Sequence, residues 1–309
     1  MNCIDNRNSR KKWVLTGLIR ALLLVIINMA VCLNVLSEEL KVRELYLWSD
    51  NLEFEVYKEQ ISNALLKAES RFGKIKLLPA NASSYKRAFE RLQNDEAGFD
   101  AMISASNLAR EEGLIPLYFP LERGLLGVRL CLISEAAQPA YSLVNKNTDF
   151  KHLSLSIVTD ENWPDSEILQ SNNIPIVELN SHAERLDYTR QNQNVCYSRS
   201  IFEIQSEFAE AKDLLIEADF VLVYPQADIL YFRKNASALV EAVQFGLEQA
   251  YADGSFQEIY NKYFRKLIAD NQLYERKILF LHSPLLSSDA LNSINQYGIF
   301  SFVNHQNKQ

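Results

Sequence analysis

Basic residues are in short supply. The 309-residue chain has 32 Lys and Arg against 39 Asp and Glu, a net charge of −7. No basic stripe of the kind that nucleic acid or an anionic membrane surface requires is present. Cysteine is almost as scarce: four in all, of which Cys3 and Cys32 fall in the first 37 residues, leaving Cys131 and Cys196. Two cysteines cannot staple a disulfide scaffold. Both sit in apolar, strand-like stretches and read as buried free thiols, with a single bond as the alternative. Four scattered histidines, His152, His182, His282 and His305, offer no metal-ligand spacing. Nine glycines leave no Gly-rich linker. The chain lacks a Gly-x-Ser-x-Gly elbow, a phosphate loop, GxGxxG and HExxH, so neither a cofactor nor a familiar catalytic constellation is expected.

What is there begins with residues 1–37. Arg7, Arg10, Lys11, Lys12 and Arg20 stand against Asp5 alone and precede an apolar run from Ala21 to Leu36, the layout of a secretory signal peptide. Cleavage is expected after Ser37. A retained membrane anchor is the alternative, although Arg20 would sit inside the span; a lipid anchor on Cys32 is disfavoured by bulky Val31. Without this segment 27 basic residues remain against 38 acidic ones, a charge of −11. With 48% apolar residues, the remaining ~270 are enough for two lobes with cores of their own.

Strand and helix patterns alternate. Val42 to Trp48 reads as a strand, Glu55 to Phe72 as a helix closed by Gly73, and Lys74 to Leu78 as a second strand. A helix capped by Ser83 or Ser84 and a third strand, Gly98 to Ser104, follow. After an extended run from Leu125 to Ser134 the pattern restarts: strand Leu153 to Val158, helix Trp163 to Ser171 opened by Pro164, strand Ile174 to Leu179. Phe220 to Tyr224 and Ile229 to Arg233 read as paired strands turning at Pro225. Helices then run from Ala236 to Leu273, ahead of a strand from Lys277 to Leu281. The tail from about Ser283 is expected to dock loosely or fray.

Several residues carry a resemblance. Asp100, Ser104, Ser106 and Arg110 form a strand end, a hydroxyl-rich loop and an arginine; GLEQAYADGSFQEIYNKYF places Asp253, Gly254, Ser255 and Phe256 as a turn between two helices. The mature chain thereby resembles the type II periplasmic solute-binding proteins, in particular a divergent polar amino-acid-binding branch. The resemblance implies two α/β lobes, each a mainly parallel sheet flanked by helices, joined by two crossover strands. Lobe one would hold residues 38–130 and 225–309, and lobe two residues 131–224. It implies a monomer that closes on a small polar, carboxylate-bearing ligand for a membrane transporter or a sensor.

Arg110 is the candidate anchor, because a guanidinium fork grips a carboxylate in two parallel hydrogen bonds, with Ser104 and Ser106 completing the cradle. The alternative is that Arg110 pairs with Glu111 or Glu112. In lobe two Ser166 or Thr159 would supply a hydroxyl near a helix N-terminus, with Asp165 as its cap. Trp48 and Tyr224 are candidate aromatic walls. Two departures from the family pattern stand out: the spacing from Ser106 to Arg110 is one residue longer, and the acidic partner of a ligand ammonium falls on Val195. Glu203 is the candidate acid if the chain is instead a cyclohexadienyl dehydratase-like enzyme, and a degenerate accessory protein is the third reading.

Overall fold

The computed structural model describes residues 43–161 and 163–303, except the side chains at 206 and 207. The expected signal segment and His305 lie outside the described residues. Twelve strands form two sheets: β1 (Arg43–Trp48), β2 (Ile75–Ala80), β3 (Ala101–Ala105), β4 (Ile115–Leu117), β5 (Val128–Ile133), β6 (Ser156–Thr159), β7 (Ile176–Glu178), β8 (Val195–Ser200), β9 (Leu215–Ile216), β10 (Phe220–Val223), β11 (Asp228–Phe232) and β12 (Lys277–Phe280). The first sheet runs β2-β1-β3-β11-β4, and the second β12-β10-β5-β8-β6-β7 with β9 on β5. Both are flanked by helices.

The helices that matter below are α1 (Glu55–Phe72), α2 (Tyr85–Gln93), α3 (Leu108–Glu111), α4 (Pro164–Ser171), α5 (His182–Gln191), α6 (Ser237–Ala252), α7 (Ser255–Asp270) and α8 (Ser288–Tyr297). Helix α1 buries Val56, Ile61, Leu65 and Ala68, as the sequence pattern of Val56, Ile61, Leu65, Leu66 and Ala68 predicts, together with Ala64, whereas Leu66 is exposed; the helix packs against α6. Gly246 permits that approach: a Cβ there would lie 1.9 Å from the carbonyl oxygen of Ala64. The turn at Asp253 is built as expected, with Gly254 at φ 86° and Asp253 accepting from the Ser255 amide and paired with Lys67.

Two neighbouring segments cross between the sheets side by side, one from β4 to β5 and one from β10 to β11. They touch. The Tyr224 amide donates to the Gly127 carbonyl at 3.0 Å, and a Cβ on Gly127 would lie 1.9 Å from the Tyr224 oxygen. Buried Glu122 staples the pair, its Oε1 accepting from the amides of Leu126 (3.3 Å) and Asp228 (3.0 Å).

Each sheet is mainly parallel, as expected, with a single strand running against the rest: β11 against β3 and β4 in the first, β5 against β10, β8 and β9 in the second. Three expectations change. Strands β10 and β11 do not pair with each other; each joins a different sheet, and the Pro225 turn is the second crossing. Strand β12, read with lobe one, lies parallel to β10 in the second sheet, while the tail from Ser283 docks, α8 packing Ile294 into the main core. Hence a stretch read wholly as lobe one contributes a strand to the other sheet. Finally, Cys131 and Cys196 are bonded, with Cα atoms 5.3 Å apart, not free thiols. The reason is the antiparallel pairing of β5 with β8, a contact 65 residues apart that neither strand announces alone.

That bond closes a long loop, so replacing both cysteines by alanine is expected to cost about 2–4 kcal/mol, mainly by freeing the unfolded chain. Urea unfolding of the two forms measures it. Equal midpoints would show that the bond contributes nothing.

Candidate functional site

A cleft of about 430 Å³ opens between the lobes. Asn107 and Arg110 line one wall; Glu161, Trp163, Pro164, Ser166, Glu167, Gln170 and Glu178 line the other, and Leu285 closes an edge. Its size lies within the usual range for small-molecule pockets.

Arg110 is placed by the turn after β3. Asn107 caps the short α3, its Oδ1 accepting from the Ala109 amide at 2.9 Å, and this turns Arg110 back over the strand end. Its Nη1 donates to Ser104 Oγ (3.0 Å) and to the Ala105 carbonyl (2.8 Å), while the guanidinium lies 5.6 Å from the ring of Tyr85 and 6.0 Å from that of Phe89. The Tyr85 hydroxyl in turn bonds Ser104. Arg110 is therefore held through a single nitrogen. Among the described residues no carboxylate pairs with it: Glu111 is occupied by Tyr118 (2.7 Å) and Ser287 (2.9 Å). The remaining guanidinium donors are left for the cleft.

The facing wall is acidic. Glu161, Glu167 and Glu178 are exposed there, and two guanidiniums lie against the Trp163 ring, Arg185 at 4.7 Å and Arg199 at 4.5 Å. Ser166, which also lines the cleft, donates its hydroxyl to the Asp160 carbonyl at 3.0 Å.

Behind this wall lies a buried ionic network that the sequence reading missed. Arg129, the second residue of β5, donates to the Tyr224 hydroxyl at 2.5 Å, pairs with Asp165, and reaches Glu203 at 3.3 Å. Tyr224 donates to Asp165 at 2.5 Å. Burial works against the charge on Arg129, but Asp165, Tyr224 and Glu203 more than offset it, so the guanidinium stays protonated. Asp165 is consequently not the cap of α4. It sits in the first turn with its carboxylate turned to Arg129, and Trp163 occupies the cap position without a side-chain bond. One signal existed: Arg129 is the sole charge in VRLCLI, a strand buried throughout.

A second acidic group lies at the crossings. Asp228 opens β11, accepts from the Tyr57 hydroxyl at 2.6 Å, and has its carboxyl pushed up to about 6 by burial, with Glu203 adding and the Tyr57 bond, Arg110 and Arg129 opposing. Glu122 beside it is raised well above the usual carboxylate range, by burial and then by the charge of Asp228.

The other candidates are placed as follows. Ser106 is buried and spent on the crossing, exchanging bonds with Ala227 through its amide (2.7 Å) and hydroxyl (3.2 Å). Trp48 is 7% exposed, in the core beside Ala80, Phe99 and Met102, its ring 5.8 Å from that of Tyr85. Thr159 is buried at the end of β6. Tyr224 is buried within the Arg129 network rather than lining the cleft, and Val195 is a buried residue opening β8. Glu203 has both oxygens engaged, Oε2 by Arg129 and the Ser200 amide and Oε1 by Arg199 at 3.3 Å. The cleft thus brings together Arg110 and Ser166, with Ser104 supporting Arg110 from behind.

No His, Cys, Asp and Glu cluster among the described residues could hold a metal ion, and no described helix is long and apolar enough to cross a membrane. No family model matches the chain, and no curated protein matches it in sequence. Among solved structures it is similar to an ancestral arginine-binding protein bound to glutamine, with 12% identity, TM-score 0.45, and 67% of this chain covered against 87% of that one. A periplasmic His/Glu/Gln/Arg/opine family-binding protein from Silicibacter pomeroyi in complex with lysine gives 11% identity, TM-score 0.45, and coverage of 68% and 86%. An ancestral amino acid-binding protein, a precursor of cyclohexadienyl dehydratase, gives 13%, 0.43, and 66% and 85%. The solved structures that this chain resembles are type II periplasmic amino-acid-binding proteins.

Proposed function

We propose that this chain is an exported binding protein that holds a small, polar, carboxylate-bearing ligand in the interlobe cleft, for uptake by a membrane transporter or for sensing. One observation carries the reading. Arg110 is fixed at the cleft wall by two hydrogen bonds through one nitrogen, has no carboxylate partner among the described residues, and keeps the rest of its donor fork available. A guanidinium so placed matches a ligand carboxylate.

The facing Glu161, Glu167 and Glu178 favour a ligand with a cationic group as well. They supply acidity that Val195 does not. The buried Cys131–Cys196 bond supports an oxidising compartment, in keeping with the leader-like first 37 residues. A dehydratase acid at Glu203 is disfavoured, because both its oxygens are committed to Arg129, Ser200 and Arg199.

The test is a thermal-shift screen of residues 38–309 against amino acids, dicarboxylates, polyamines and aromatic acids, prephenate and arogenate included. At saturation one or more carboxylates should raise the melting temperature by a few degrees. No shift across the whole screen would favour an accessory protein without ligand, and turnover of prephenate or arogenate would overturn the binding reading.

A further inference from the structure

Beyond the crossings from β4 to β5 and from β10 to β11, the described chain passes between the lobes twice more. After α7 it returns to the second lobe as β12, and then leaves again. Leu281 donates to the Val223 carbonyl at 2.9 Å, and His282 is clamped by Asn172, whose Oδ1 accepts from its amide (2.9 Å) and whose Nδ2 donates to its carbonyl (2.7 Å). Asn172 follows α4, the helix of the acidic wall. Three residues later the chain is fixed to the first lobe: the Leu285 carbonyl accepts from the Leu108 amide at 2.8 Å, and Ser287 donates to Glu111 at 2.9 Å. From there α8 is anchored by Ser293 on the Tyr118 carbonyl (2.6 Å), and Arg123 holds the Tyr297 carbonyl (2.8 Å).

The free length is small. From His282 to Leu285 the backbone reaches at most about 10 Å, and Pro284 stiffens it. Leu108 and Glu111 belong to the α3 that carries Arg110, and Leu285 itself lines the cleft. The segment therefore ties the helix bearing the anchor to the helix of the opposite wall.

We infer that residues 281–287 are a strap across the edge of the cleft, which limits how far the lobes separate and presents Leu285 as a wall past which a ligand enters and leaves. A domain pair joined only at its crossings swings freely about them. Here a further tether, at the cleft itself, resists that swing until its few hydrogen bonds break together. The strap is made by the chain's own hydrogen bonds, so its test needs no ligand and stands or falls separately from the binding reading.

Two measurements decide it. In the unmodified chain the amides of His282 and Leu108 should exchange with solvent at protection factors within about threefold of each other, because one opening exposes both; protection differing by more than about tenfold would overturn the strap. Inserting Gly-Gly-Ser-Gly-Gly-Ser between Pro284 and Leu285 keeps every anchor and lengthens the tether. By small-angle scattering the ligand-free variant should then show a radius of gyration larger by about 1 Å, against about 18 Å for a compact chain of this size. An unchanged radius in a variant with unchanged circular dichroism would equally overturn it.

Discussion

In an Arg110→Ala variant, affinity for any carboxylate found in the screen is expected to fall at least about 100-fold, with the fold intact. Charge-assisted hydrogen bonds contribute about 1.5–3 kcal/mol each, and a bidentate pair supplies two. At 1.4 kcal/mol per tenfold, that is two orders of magnitude or more. The structural cost should be small, since Arg110 gives up one hydroxyl and one carbonyl partner at a half-buried position. Arg110→Lys should recover only part of the affinity, because an ammonium offers a point charge where the site presents a planar fork. Calorimetric titration reads both variants. Affinity that survives Arg110→Ala would remove the anchor from the site.

The largest expected effect on stability comes from Asp165→Ala. The substitution leaves Arg129 buried with Tyr224 and the partly exposed Glu203 as its remaining partners, and breaking one side of a buried ion pair costs about 3–5 kcal/mol. Removing both charges is a different matter: Arg129→Met with Asp165→Leu is expected to lie within about 1–2 kcal/mol of the parent, since neither member is then left uncompensated. Urea unfolding with an unchanged m-value separates the two cases. A single variant that costs less than about 1 kcal/mol would mean that water or a neighbouring group already satisfies Arg129.

The parts legible in sequence were those set by local pattern. The apolar stripe of α1, the Ser84 cap of α2, the Pro164 start of α4 and the left-handed Gly254 between α6 and α7 follow from spacing and turn chemistry within a few residues. The two-sheet α/β architecture follows from the restarting strand-helix alternation. What escaped depends on which strand lies beside which. The Cys131–Cys196 bond, the separation of β10 from β11 and the placement of β12 are all pairings between distant segments. At the site, Arg110 is singled out by the family resemblance, which places an arginine after the hydroxyl-rich loop, and the structure sets it at the cleft wall. Arg129 is not, because its role arises only when Asp165, Glu203 and Tyr224, which lie 36, 74 and 95 residues away in sequence, converge on it. Asp165 looked like a cap for the same reason.

Whether the cleft holds a carboxylate at Arg110 is tested most directly by running the thermal-shift screen on the parent and on Arg110→Ala side by side. At least one carboxylate should raise the melting temperature of the parent by a few degrees and leave the variant unmoved. The same shift in both proteins would contradict a carboxylate anchored there.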